Sequence, residues 1–183
     1  MKRLILAAAA ATLLIAGPAL AALKPGDKAP EFKANGFLAG QPYSFDLDAA
    51  LKKGPVVLYF FPAVHTSGCN LEAHLFADAI DQFKRQGATV VGITAGKLSE
   101  LQTFSNETQY CSGKFPVTAD PDRAIARRYD SLLNMPGFNV SNRTSYVIAP
   151  DHSILYAYSD LAADHHVTNT LDAVAKWRAA HPH

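Results

Sequence analysis

The sequence predicts an α/β fold with a mixed central β-sheet flanked by helices, and three observations carry that prediction. The first is a pair of continuous apolar runs rich in β-formers, "GPVVLYFFP" (Gly54 to Pro62) and "ATVVGIT" (Ala88 to Thr94). The second is the amphipathic stretch between them. The third is "TSYVIAPDHSILYAYS", two β-type runs broken at Pro150-Asp151-His152.

Each element follows from local chemistry. The Gly54–Pro62 run has turn residues at both ends and no polar alternation, the mark of a strand covered on both faces. Leu71, Leu75 with Phe76, Ala79 with Ile80, and Phe83 recur at helical spacing, and Gly87 closes the helix. Strand, helix, strand at this spacing makes residues 54 to 94 a βαβ unit with a right-handed crossover between parallel neighbours. Leu98, Leu101 and Phe104 suggest a further helix, and Pro121 after Asp120 starts a short one through Tyr129. A hairpin over 144–159 follows, and a last helix places Val167, Leu171 and Val174 on one face. A βαβ unit, a hairpin and a terminal helix together make the thioredoxin-like class of α/β architecture.

The 183 residues are 49% apolar and 18% charged, a composition suited to one compact domain. Residues 1 to 21 stand apart: Lys2 and Arg3 precede a Leu/Ile/Ala run ending in Ala19-Leu20-Ala21, the small-x-small pattern of a signal-peptidase site. A cleaved signal peptide over 1–21, a domain over 22–183 and a periplasmic or secreted location are therefore expected. Removing Lys2 and Arg3 from the 17 basic residues leaves 15 against 16 acidic, a net charge of −1, with no basic footprint for nucleic acid. Export would place Cys69 and Cys111 where a pair is able to bridge.

If the strand stops near Pro62 and the helix starts near Gly68, Cys69 lies in the first helical turn, among backbone N–H groups that lack partners. Those groups favour the thiolate, the form of sulfur that attacks. Thr66 can aim a hydroxyl at the sulfur or at an atom it attacks, and Pro62 can wall the pocket without adding a donor. Equally, Thr66 could merely cap the helix and Pro62 merely end the strand. Spacing leaves both readings open.

Pro62, Thr66 and Cys69 stand as P-x-x-x-T-x-x-C directly after a V-V-L-Y-F-F strand. This resembles the active-site signature of the peroxiredoxins, thiol peroxidases of the thioredoxin superfamily. The likeness extends over "LKPGDKAPEF", "FPVTADPDRAIARRY" and "NRTSYVIAPDHSI". It implies that Cys69 is the peroxidatic nucleophile, that Arg143 is the active-site arginine and Glu72 the glutamate paired with it, and that no cofactor or metal is required. The substrate implied is hydrogen peroxide or an organic hydroperoxide, reduced through a cysteine sulfenic acid.

Cys111, in "NETQYCSGKFP", lies at the end of the helical segment begun at Leu98. That location is similar to the resolving cysteine of one subgroup of the bacterioferritin-comigratory, or PrxQ, type, which implies a Cys69–Cys111 disulfide reduced by a thioredoxin-like protein or a small thiol. Another subgroup places its resolver five residues after the first cysteine, where this chain has His74. The partners expected are thus peroxide and thiol reductant, with no nucleic acid, no membrane after signal cleavage, and a monomer or weak dimer. Two alternatives remain at this stage: an exported thiol-disulfide oxidoreductase, disfavoured by the lack of C-x-x-C, and a non-enzymatic module braced by a structural disulfide. His65 reads as a surface histidine or a tuner of the site's pH response, and His165-His166 as the solvated start of the last helix.

Overall fold

The computed structural model describes residues 22–133 and 135–182. The expected signal peptide at 1–21 lies outside them. Seven strands form one sheet: β1 (Lys33–Leu38), β2 (Gln41–Asp46), β3 (Val56–Phe61), β4 (Thr89–Thr94), β5 (Val117–Ala119), β6 (Thr144–Ile148) and β7 (Ile154–Ser159), in the order β2-β1-β5-β4-β3-β6-β7. The pairs β3–β4 and β4–β5 are parallel and the others antiparallel, so the sheet is mixed. The thioredoxin-like α/β class expected from the sequence is the one observed.

The helices divide between the two faces. α2 (Ser67–Arg85), α3 (Leu98–Asn106) and α5 (Asp164–Ala180) cover one face, and α1 (Leu47–Leu51) and α4 (Ala124–Arg128) cover the other. β3 explains the division. All six of its side chains are buried: Val57, Tyr59 and Phe61 join the core beneath α2, while Val56, Leu58 and Phe60 join the opposite core. Each large apolar side chain so buried contributes roughly 1.5–3 kcal/mol before entropy is counted.

The ends of α2 are set by their sequence. Thr66 is the extended N-cap residue, and the first intrahelical bond runs from Asn70 N–H to the Thr66 carbonyl at 2.8 Å. At the far end Gly87, at φ 75°, allows Gly87 N–H to reach the Lys84 carbonyl and Ala88 N–H the Phe83 carbonyl, both at 2.9 Å, a Schellman closure. Lys84 and Arg85 in the last turn favour the negative pole of the helix.

Three sequence expectations are corrected. Leu71 and Leu98 belong to no buried stripe: they are 44% and 42% exposed. The stripe of α2 runs instead through Cys69, Glu72, Ala73 and Phe76, so its buried face carries polar and thiol groups. α4 begins at Ala124 rather than Pro121, because the Asp120 carboxylate accepts from Ile125 N–H at 3.1 Å and Ala126 N–H at 2.8 Å, leaving residues 121 to 123 as a turn with Arg123 at φ 58°. The β1–β2 hairpin and α1 were not foreseen.

Candidate active site

Cys69 is the third residue of α2 and only 1% exposed. Because the first intrahelical bond is that of Asn70, the N–H groups of Ser67, Gly68 and Cys69 have no partner within the helix. They give the first turn of α2, which carries Cys69, partial positive charge.

Arg143 immediately precedes β6, whose pairing with β3 brings it opposite the start of α2. Arg143 is only 4% exposed, so its charge lies inside the protein rather than at its surface. Its Nε donates to the Leu161 carbonyl at 2.9 Å, its Nη1 to Glu72 Oε2, and its Nη2 to Cys69 Sγ at 3.5 Å. Three directions of one plane are thus fixed by a loop, a helix side chain and the thiol. Burial works against the Arg143 charge, but Glu72 and Cys69 outweigh it and hold the guanidinium above its ordinary value. Burial pushes the Glu72 carboxyl up to about 8, against the pull of Arg143.

Pro62 follows β3, half-buried, with its carbonyl taken by the Thr94 hydroxyl at 3.3 Å. Thr66 is exposed, and its hydroxyl donates to the Ala63 carbonyl at 3.2 Å. It neither caps α2 with its side chain nor donates to the sulfur. Gly68 fits because it lacks a Cβ: one placed there would stand 3.0 Å from Arg143 Nη2. Gly68→Ala is expected to displace the guanidinium and slow peroxide reduction about 10-fold with little loss of melting temperature; stopped-flow kinetics beside a thermal melt would check both.

The AhpC/TSA family matches residues 25–157. The chain belongs to the AhpC/TSA family. It is a peroxiredoxin, a thiol-dependent peroxidase. A provisionally named peroxiredoxin of Mycobacterium tuberculosis is 33% identical over 149 residues, covering 79% of this chain and 90% of the relative. The chloroplastic peroxiredoxin Q of Oryza sativa subsp. japonica is 27% identical over 121 residues, 66% of this chain and 54% of that protein. The crystal structure of peroxidoxin BcpB from Mycobacterium tuberculosis matches with a TM-score of 0.73 at 27% identity, over 84% of this chain and 97% of that one.

In this peroxiredoxin Cys111 is a free, fully buried thiol, as Cys69 is a free thiol. It lies past the end of α3 rather than at it, in a turn where Ser112 and Gly113 both have positive φ and Gly113 N–H bonds the Ser105 carbonyl at 2.9 Å. Burial pushes the Cys111 thiol well up, so it rests protonated. His65 links the two cysteine segments: its ring meets Phe104 edge-on at 5.8 Å and Tyr110 at 5.6 Å, and those two rings stack at 4.9 Å.

His166 corrects the solvated-end reading. It is fully buried, with Nδ1 2.8 Å from the Ser145 hydroxyl and 3.6 Å from Glu72 Oε1. The face it shares with Val167, Thr170 and Val174 was the available signal, since His166 stands one turn before Thr170. Among the described residues one group, Glu31, Asp48 and His152, brings metal-type donor atoms within 4.8 Å of one another. It sits at α1, beside the opposite core, and Lys52 already pairs with Asp48 at 2.7 Å.

Proposed function

We propose that this peroxiredoxin reduces hydrogen peroxide and organic hydroperoxides with Cys69 as the peroxidatic nucleophile and Cys111 as the resolver. The Arg143 Nη2 contact to Cys69 Sγ at 3.5 Å, made at the start of a helix, is the observation that carries the reading. The thiolate attacks one peroxide oxygen; the S–O bond forms as the O–O bond breaks, and the departing oxygen takes a proton to leave as water or alcohol. Charge moves from sulfur to oxygen, and donors fixed before the reaction stabilise that movement. Arg143 supplies the cation, the free N–H groups of the first turn add to it, and Pro62 keeps a competing donor away. With its own hydrogen committed to Ala63, the Thr66 oxygen offers lone pairs that suit the O–H of a hydroperoxide. Glu72 orients the guanidinium.

Cys111 then gives up its thiol proton and attacks the sulfenic sulfur; the S–S bond forms as the S–O bond breaks, and the departing hydroxyl takes a proton to leave as water, giving a Cys69–Cys111 disulfide that a thioredoxin-like protein or small thiol reduces. Both sulfurs are buried, so the first turn of α2 and the turn around Cys111 must open locally for them to meet. The pattern of residues 1–21 supports export to the periplasm or the exterior. Among the described residues no helix is long and apolar enough to cross a membrane.

The experiment is chemical trapping. Reduced Cys111→Ser treated with one equivalent of hydrogen peroxide and dimedone is expected to carry the adduct on the peptide containing Cys69, read by mass spectrometry. Recovery of that peptide unmodified after peroxide has been consumed would overturn the assignment.

A further inference from the structure

The loop that joins β7 to α5 offers two successive carbonyls to buried side chains. The Leu161 carbonyl accepts from Arg143 Nε at 2.9 Å, and the Asp160 carbonyl lies 2.9 Å from His166 Nε2. A carbonyl only accepts, so Nε2 carries a hydrogen. Burial pushes His166 down to about 4, which keeps the ring neutral. Nδ1 is then the acceptor, and it takes the Ser145 hydroxyl at 2.8 Å. Each nitrogen of the buried imidazole thus has one partner.

These bonds close a circuit. Arg143 and Ser145 stand two residues apart at the start of β6, so both side chains leave the same face, one toward α2 and the other toward α5. Asp160 and Leu161 are adjacent in the loop. His166 joins the two halves, gripping the strand through Ser145 and the loop through Asp160. Asp160, Leu161 and Ala162 are exposed, Leu161 at 56%, so polar bonds rather than side-chain burial fix where the two carbonyls point. The Asp160 carboxylate accepts from Ala162 N–H at 2.8 Å, which shapes the turn but does not tie it to the strand.

The guanidinium depends on that tie. Its Nη1 bond to Glu72 alone would leave the plane free to swing about one contact. The Nε bond to Leu161 is the second contact, and with both made Nη2 faces Cys69 Sγ at 3.5 Å.

We propose that His166 is a positioning residue for peroxide reduction: by holding the Asp160 carbonyl it sets the neighbouring Leu161 carbonyl and so aims the Arg143 guanidinium at the Cys69 sulfur. The inference rests on Cys69 as the nucleophile. Among the described residues no hydrogen bond joins His166 to Cys69 or to Arg143, so its action passes through the loop.

The tautomer and the relay are tested separately on the reduced full chain. In ¹⁵N spectra the wild-type His166 ring is expected with its proton on Nε2 and a bare Nδ1; the opposite tautomer would overturn the proposal, because Nε2 could not then hold a carbonyl. His166→Gln and His166→Asn separate the relay from space-filling. A glutamine amide reaches the level of Nε2 and can still donate to Asp160, whereas asparagine stops at the level of Nδ1. His166→Gln is expected to stay within about threefold of the wild-type rate of peroxide reduction and His166→Asn to fall about 10-fold. Exchange of the Arg143 Nε–H with solvent should quicken in His166→Asn and stay near wild type in His166→Gln. Equal behaviour of the two variants, or the reverse ranking, would overturn the relay. If neither folds, Ser145→Ala takes their place: loss of the hydroxyl at Nδ1 should speed Arg143 Nε–H exchange by about threefold or more, and wild-type exchange would overturn the relay. Tautomer and exchange are read without turnover, so they still decide the relay if trapping denies Cys69 its role.

Discussion

Cys69→Ser is expected to abolish peroxide consumption, lowering the rate by roughly 10³-fold or more, because a serine hydroxyl in the same turn stays protonated and attacks oxygen poorly. Cys111→Ser is expected to keep turning over with dithiothreitol, since a small thiol can reduce a sulfenic acid directly. The contrast separates the readings left open by sequence. A structural staple would make the two variants alike and less stable, whereas a nucleophile and a resolver differ in kinetics at nearly equal stability. Loss of activity in both with dithiothreitol present, or in neither, would sink the division of labour. Insulin reduction without peroxide consumption would favour the disulfide oxidoreductase instead.

Arg143→Leu is expected to slow peroxide reduction by about 10²–10³-fold, the usual cost of removing one preorganised donor from a site of developing charge. It also removes the bonds to Glu72 and to the Leu161 carbonyl, so a stability loss of about 1–3 kcal/mol should accompany it in denaturant titration. Arg143→Lys should recover little rate, because an ammonium cannot satisfy Leu161, Glu72 and Cys69 in one plane. Wild-type kinetics in Arg143→Lys would show that point charge alone suffices, and the geometric argument would fail.

The parts of the molecule that were legible in sequence are those whose burial is apolar and complete. β3 announces itself because all six residues are hydrophobic, and its end at Pro62 places the start of α2 and therefore Cys69. Arg143 and Glu72 came from family likeness, since nothing local in either distinguishes a buried donor from a solvated charge. The polar side of the same helix misled: with Cys69 and Glu72 on the buried face, hydrophobicity alone shifts the apparent stripe toward Leu71. The β1–β2 hairpin turns at Ala39-Gly40, both with positive φ, and an alanine there gives no turn signal. β2, "QPYSFD", buries only Phe45 fully, so alternation was too faint to read. His166 escaped because a histidine pair at a helix start looks like a wet terminus until the tertiary packing of α5 against β6 is known.

The stack of Phe104 and Tyr110 under His65 ties the loop before Cys69 to the turn that holds Cys111. If the proposed Cys69–Cys111 bridge forms, the two segments that carry these rings have to shift relative to each other, and parting the stack would expose aromatic surface that the reduced protein packs together. Rings exposed in that way would distinguish the oxidised from the reduced protein to any thiol donor that recognises apolar surface.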